Sequence, residues 1–321
     1  METELATIGL SAAAATHIRF GVSCLWEVLA GVRILRDPGV PAVHRRWAAR
    51  ARAGLSEDGL LWHLVAPSGG YTPDFLTPPP AGLTASLPHE LIALRATPPD
   101  SVRADLDLIS PSPPLRALYD DPTAGLTRLA DEIAAYWQVA VAPDWPRMRA
   151  LLDAEVQRRA RRLAENGSAA ILDDLHPSVT WRAGSLIVDQ PHCTAPDVPD
   201  GTGLVLVPSV FVWPSVLTVT AGEVPQLVYP ARGVATLWEG SPHDSEALTA
   251  LLGRGRASVL AELVTPLSTT ELARRTGITA GGVSQHLTTL RAAGLVVTHR
   301  QGHSLLNTRT QVAEALLAAA A

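Results

Sequence analysis

The chain has 321 residues, 47% hydrophobic and 18% charged, which excludes a polypeptide disordered throughout and sets the expectation of two ordinary domains with sizeable cores. Its net charge of −5 is uneven: residues 241–321 hold seven Arg against five acidic residues, a surplus of two, while the rest carries −7, so any nucleic-acid face belongs at the C-terminal end. Cys24 and Cys193 stand far apart and outside any CxxC spacing, which excludes a disulfide framework or zinc knuckle and fits a reducing compartment.

All the cationic residues are arginine, and Ala and Pro abound, a bias similar to that of high-GC actinobacterial proteins. The N-terminus shows no signal-peptide pattern, so the expected location is cytoplasmic. From the N-terminus, residues 16–54 read as a short strand and two helices, 22–35 and 40–53, separated by the Asp37-Pro38-Gly39 turn. Proline clusters at 78–80, 98–99 and 111–114 restrict residues 55–114 to short helices, 87–95 foremost. Two longer helices follow at 123–141 and 145–165, the second capped by Asp144 and stopped by Asn166-Gly167. Its run Arg158-Arg159-Ala160-Arg161-Arg162 reads as a solvated face opposite Leu151, Leu152, Val156 and Leu163.

From residue 178 the period shifts to strands at 180–188, 204–207, 216–220 and 226–229, expected to form a small, mainly antiparallel sheet. The uncharged stretch 201–222 is long enough to raise a membrane span, but Pro208 and Pro214 break a helix there and the β-branched content suits buried strands. The first domain, residues 1–240, is therefore expected to be α+β, with a hinge at Glu239-Gly240-Ser241-Pro242-His243. No enzyme is legible in it: Asp189, His192 and Cys193 cluster without a completing set, and GxSxG, Walker, GxGxxG and HExxH motifs are lacking, so neither catalytic residue nor cofactor is expected. The eight tryptophans either line an apolar pocket or serve as the core's large side chains.

Residues 245–321 carry a more specific pattern. Helices are expected at 245–252 and 256–264. Ser268-Thr269-Thr270-Glu271 then forms a capping box, with hydroxyl to Glu271 amide and carboxylate back to Ser268 amide. The helix it opens runs to 275 or 276, where Gly277 supplies a left-handed turn into a second helix capped by Thr279 and ending before Gly294. Val283, Leu287 and Leu290 form that helix's buried stripe. Gly281, Ser284, Gln285, Thr288 and Thr289 point away, an acid-free, hydrogen-bonding face of the kind that enters a major groove. Two alternating runs, 295–300 and 303–308, make a β-hairpin wing with Arg300 and His303 near its tip. An alanine-rich helix, 311–320, with Val312, Leu316 and Leu317 at helical spacing suits packing against a second copy.

This order and spacing, from Leu251-Leu252-Gly253-Arg254-Gly255-Arg256 through Glu271-Leu272-Ala273 and Val283-Ser284-Gln285-His286-Leu287 to Leu290-Arg291-Ala292-Ala293-Gly294-Leu295-Val296 and the wing, resembles the arsenic-repressor-like (ArsR/SmtB-type) winged helix-turn-helix regulators. The resemblance covers about a fifth of the chain. It implies a homodimer on a pseudo-palindromic double-stranded DNA operator, and a repressor. DNA-facing candidates are Thr270, Thr279, Gly281, Ser284, Gln285, His286, Thr288, Thr289 and Arg291, with Arg300 and His303 on the wing. His286, at the edge of the buried stripe, either meets DNA or supports the helix. No cysteine occupies the helix at Thr270 to Thr276, so the thiolate metal sensing of some members is not expected. Ala280-Gly281-Gly282 stand where members often carry polar residues.

In the first domain, Leu206-Val207-Pro208-Ser209-Val210-Phe211 and Tyr229-Pro230-Ala231-Arg232-Gly233 resemble a domain of unknown function attached to winged helices in actinobacterial regulators. Effector sensing, extra dimer surface or a purely architectural role are its possible contributions. The expectation is a regulator responding to a small molecule, with no membrane partner; the alternative is an interaction protein whose winged helix binds another protein.

Overall fold

A computed structural model describes residues 6–9, 14, 17–172, 174–182, 185–188, 198, 202–213, 216–219, 224–238, 244–263, 266–301 and 304–320. Asp189, His192, Cys193, the expected hinge and His303 lie outside the described residues. The chain divides into two compact units, Met1–Trp238 and Glu239–Ala321. No helix among the described residues is long and apolar enough to cross a membrane.

The first unit begins with strands β1 (Ala6–Gly9) and β2 (Arg19–Phe20) and helices α1 (Cys24–Arg36) and α2 (Arg45–Ala51). Four short helices follow: α3 (Leu60–Leu64), α4 (Leu87–Arg95), α5 (Pro99–Leu106) and α6 (Pro113–Asp120). Prolines open the last three, where an amide would have no intrahelical partner, so the proline clusters space the helices rather than forbid them. The long helices are α7 (Pro122–Ala140) and α8 (Trp145–Leu172), the latter broken at the expected stop, Gly167, at φ 76°.

Strands β3 (Val179–Arg182), β4 (Ser185–Val188), β5 (Val205–Ser209), β6 (Leu217–Val219) and β7 (Gln226–Pro230) precede a single turn, α9 (Val234–Leu237). They form two sheets rather than one. The first, ordered β1-β4-β3, is antiparallel throughout; the second, ordered β2-β5-β7-β6, pairs β5 in parallel with both β2 and β7, and only β6 runs antiparallel. β5 explains the uncharged stretch: Val205 and Val207 face the main helical core, whereas Leu206 joins a second core with Leu227, Tyr229, Ile171 and Leu186. A strand buried on both faces needs a continuous apolar run, not an alternating one. Pro208 is tolerated because β2 pairs only with Val205 and Leu206.

Buried polar groups knit the unit together. Glu27 of α1, fully buried, accepts hydrogen bonds from the Val210 amide (3.0 Å) and the Ser209 hydroxyl (3.3 Å). Burial pushes its carboxyl up to about 8. The arginine run corrects its sequence reading. Arg159 is 0% exposed, its Nε donating to Glu155 at 2.8 Å and its Nη1 to Asp174 at 3.3 Å; Arg158 and Arg162 also pair with Glu155 and Asp174, respectively. The guanidinium lies 5.3 Å from the Tyr229 ring centroid. Arginine spacing alone could not show that two acids, one three residues upstream of the run and one beyond the helix break, turn this face inward.

The second unit comprises α10 (Asp244–Leu252), α11 (Arg254–Glu262), α12 (Thr269–Thr276), α13 (Ala280–Ala292), strands β8 (Val296–Gln301) and β9 (Ser304–Arg309), and α14 (Gln311–Ala320). Its core gathers Val259, Leu260, Leu263, Leu272, Val283, Leu287, Leu290 and Val296. The unit is a winged helix-turn-helix, and the α+β unit before it has the expected class.

Candidate nucleic-acid interface

The helix-turn-helix is built by two caps and a glycine. The Ser268 hydroxyl accepts from the Glu271 amide at 3.2 Å, opening α12. Gly277, at φ 71°, closes α12 in the left-handed region that a side chain disfavours. The Thr279 hydroxyl then accepts from the Gly282 amide at 3.2 Å to open α13. The capping box is half formed: instead of returning to Ser268, the Glu271 carboxylate takes Arg274 (2.6 Å) and Arg275 (2.8 Å). Those hydrogen bonds hold its carboxyl down at about 2, and two charge-assisted partners outcompete one neutral amide.

Along α13, Val283, Leu287 and Leu290 are buried, while Gly281, Ser284, Gln285, Thr288, Thr289 and Arg291 are exposed. The exposed positions recur at helical spacing without an acid among them. Several of their groups are already engaged with the helix. Thr288 donates to the Ser284 carbonyl (2.9 Å) and Thr289 to that of Gln285 (3.3 Å), leaving their oxygens as acceptors. Arg291 folds back onto the Leu287 carbonyl (3.1 Å) and the Thr288 hydroxyl (3.3 Å). Ser284 and Gln285 are thus the face's most versatile donor-acceptor side chains, and Gln carries both functions in one amide. Thr270 is exposed on the first turn of α12.

His286 is half-buried and lies over Gly255 of α11, where the imidazole occupies the space a β-carbon would need. Its ring therefore packs α13 against α11. The wing pairs Thr298 with Asn307 and Gln301 with Ser304, and Arg300 is exposed on β8.

Sequence reasoning missed the wing's anchor, Asn307. This buried side chain accepts from the Thr298 hydroxyl at 2.8 Å and donates to the Leu267 carbonyl at 3.2 Å, while its backbone pairs with Leu267 in both directions. Leu267 thereby acts as a one-residue third strand joining wing to helices. An Asn inside an otherwise alternating strand was the available signal, since asparagine is depleted in strands unless its amide is satisfied. Arg309 was missed too: it donates to the Leu260 carbonyl at 2.8 Å, closing α11. Among the described residues no group of three or more His, Cys, Asp or Glu is placed to hold a metal ion, and Cys24, the cysteine described, is buried in α1 with its thiol pushed up by burial.

Residues 255–299 match a family model described as a helix-turn-helix domain, and residues 115–235 match one described as a family of unknown function (DUF5937). No curated protein matches. Among solved structures, one described as the predicted DNA-binding transcriptional regulator from E. coli is 28% identical over 26% of this chain and 93% of its own, with a TM-score of 0.20; a score that low carries no argument about fold.

Proposed function

We propose that this chain is a sequence-specific DNA-binding transcriptional regulator of the arsenic-repressor-like type, acting as a dimeric repressor. The carrying observation is the exposed, acid-free face of α13 on a winged helix-turn-helix, within the segment that matches a helix-turn-helix family. Ser284 and Gln285 read bases, since glutamine can grip adenine with two hydrogen bonds. Arg300 on the wing contacts phosphate or the minor groove, His303 is a second wing candidate by its sequence position, and Thr270 and Thr279 lie at the helix starts, where backbone amides favour phosphate. Gly281 lets the helix start approach DNA closely; Thr288, Thr289 and Arg291 flank the reading pair, and His286 serves as support. Control comes from a small molecule held by the first unit, in the cytoplasm, without catalysis. Dimerisation uses α10 and α14, neighbours in the second unit, where Leu251 and Val312 are 66% and 63% exposed.

The test is a gel shift on DNA upstream of the chain's own gene, titrated with salt. Salt-dependent binding to a discrete promoter segment is expected; failure to prefer any nearby promoter over bulk DNA contradicts the reading. One observation favours a protein-binding winged helix instead: of the unit's seven arginines, Arg256, Arg291 and Arg309 are engaged by backbone carbonyls of the unit, and Arg274 and Arg275 by Glu271. Under that reading, bulk DNA does not compete with the captured partner in a pull-down; under ours it does.

A further inference from the structure

The first unit contains a cavity of about 880 Å³, within the size range of small-molecule sites. It opens beyond the carboxyl ends of β5 and β7, which are parallel neighbours: Val210 and Val212 follow the first, Ala231 and Arg232 the second. Open sheets with parallel strands hold their ligands outside the carboxyl ends of the strands. Both segments belong to the two runs that stood out in the sequence of this domain.

The wall is mainly apolar and held in place before any ligand arrives. Beyond Glu27's grip on the Val210 amide, the Ser209 hydroxyl accepts from the amides of Phe211 (3.2 Å) and Val212 (3.3 Å), so the loop after β5 is fixed from beneath by buried hydrogen bonds.

Two polar features border this apolar space, one sealed behind its wall and one open to it. His44, fully buried, accepts the Trp238 indole N–H on Nδ1 at 3.1 Å. An indole nitrogen only donates, so Nδ1 is unprotonated and the neutral ring carries its proton on Nε2. Nε2 has no hydrogen-bond partner and is itself fully buried, so this donor lies behind the cavity wall. Burial lowers His44 to about 4, which keeps the ring neutral at physiological pH. The second feature is Arg232, which lines the cavity with Asp174 and binds both its carboxylate oxygens, at 2.8 and 2.9 Å. Asp174 is shared with Arg158, Arg159 and Arg162, and Glu155 is the other acid of the group, so among the described residues four guanidiniums meet two carboxylates. The charge surplus beside Arg232 asks for a negative acceptor.

We propose that this cavity binds an organic carboxylate with an apolar, ring-sized body, its acid group held at Arg232. A cationic amine meets a positive surplus and is rejected; a polar metabolite leaves the apolar wall unfilled. The site belongs to the first unit alone and is independent of whether the second reads DNA.

Calorimetric titration of the full chain with naphthalene-2-carboxylate, naphthalene-2-carboxamide and naphthalen-2-ylmethylammonium tests this without DNA. The carboxylate is expected to bind one per chain with Kd below about 1 mM, at least about tenfold tighter than the ammonium. Ala235→Trp, which adds a large ring at an exposed cavity-wall position, should abolish binding while leaving the melting temperature unchanged. Arg232→Gln should weaken the carboxylate about tenfold and the amide hardly at all. Absence of saturable binding by folded protein, equal affinity for acid and ammonium, or undiminished binding by Ala235→Trp overturns the proposal.

Discussion

The run on α8 has four arginines in five residues, whereas the outward face of α13 has one, yet three of the four on α8 are held by carboxylates. Arg158, Arg159 and Arg162 are engaged by Glu155 and Asp174, with Arg159 wholly buried, while the α13 face presents Ser284 and Gln285 with no acid beside them. A count of cations along a sequence says where charge is encoded; partners in three dimensions decide whether any remains to meet a phosphate. An ion pair taken out of water must be kept whole, whereas a reading surface needs groups left uncommitted.

The sharpest way to break this contrast is at Arg159. Replacing it with Ala empties the buried centre of the network, removing its hydrogen bonds to Glu155 and Asp174 and its packing on the Tyr229 ring, and should cost about 2 to 4 kcal/mol in urea unfolding of the first unit, while Arg161→Ala, at an exposed position of the same run, should stay within about 0.5 kcal/mol. Equal costs would mean the run is a solvated face after all.

The next effect also concerns a buried charge. The folded protein retains on Glu27 a proton that the unfolded chain releases near 4.5, so this group's contribution to stability falls as pH rises from about 4.5 to about 8. His44 acts oppositely: lowered from 6.5 to about 4, it makes stability rise with pH across that window and is silent above it. Between pH 6.5 and 8 Glu27 therefore stands alone of the two and should remove roughly 2 kcal/mol. Glu27→Gln should flatten that part of a pH series of melting curves; an unchanged slope contradicts the assignment.

In the second unit, Asn307→Ala removes the link between wing and Leu267 and should cost about 1 to 2 kcal/mol, read as lost amide-exchange protection in β8 and β9. The smallest effect belongs to Arg300. Its replacement by Ala should weaken binding to all DNA sequences alike and lower the slope of log affinity against log salt by about 1. A sequence-dependent loss would move base reading to the wing.

What was legible in the sequence follows from how local each cause is. Ser268, Gly277 and Thr279 act within a few residues of themselves, so both helices of the turn could be placed from their caps, and the stripe of Val283, Leu287 and Leu290 followed from the helical period. Residues 204–207 were recognisable as buried strand, but not the parallel pairing of β5 with β2, because their sequence separation leaves no local trace. The burial of Arg159 depends on Asp174 across a helix break, and the idle Nε2 of His44 on Trp238, at the far end of the unit. On the interface, the exposure of Ser284 and Gln285 was readable from the helical wheel. The return of Arg291 to its own helix and the seating of His286 over Gly255 were not, since both are choices of rotamer and packing.

The central claim is that α13 reads base sequence through Gln285 and Ser284. Its most direct measurement is the affinity of Gln285→Ala for the promoter segment found by gel shift and for a scrambled duplex at the same salt concentration. A loss of about 1 to 3 kcal/mol is expected on the promoter and almost none on the scrambled duplex, narrowing the specificity ratio. An equal loss on both duplexes, or none on either, contradicts it.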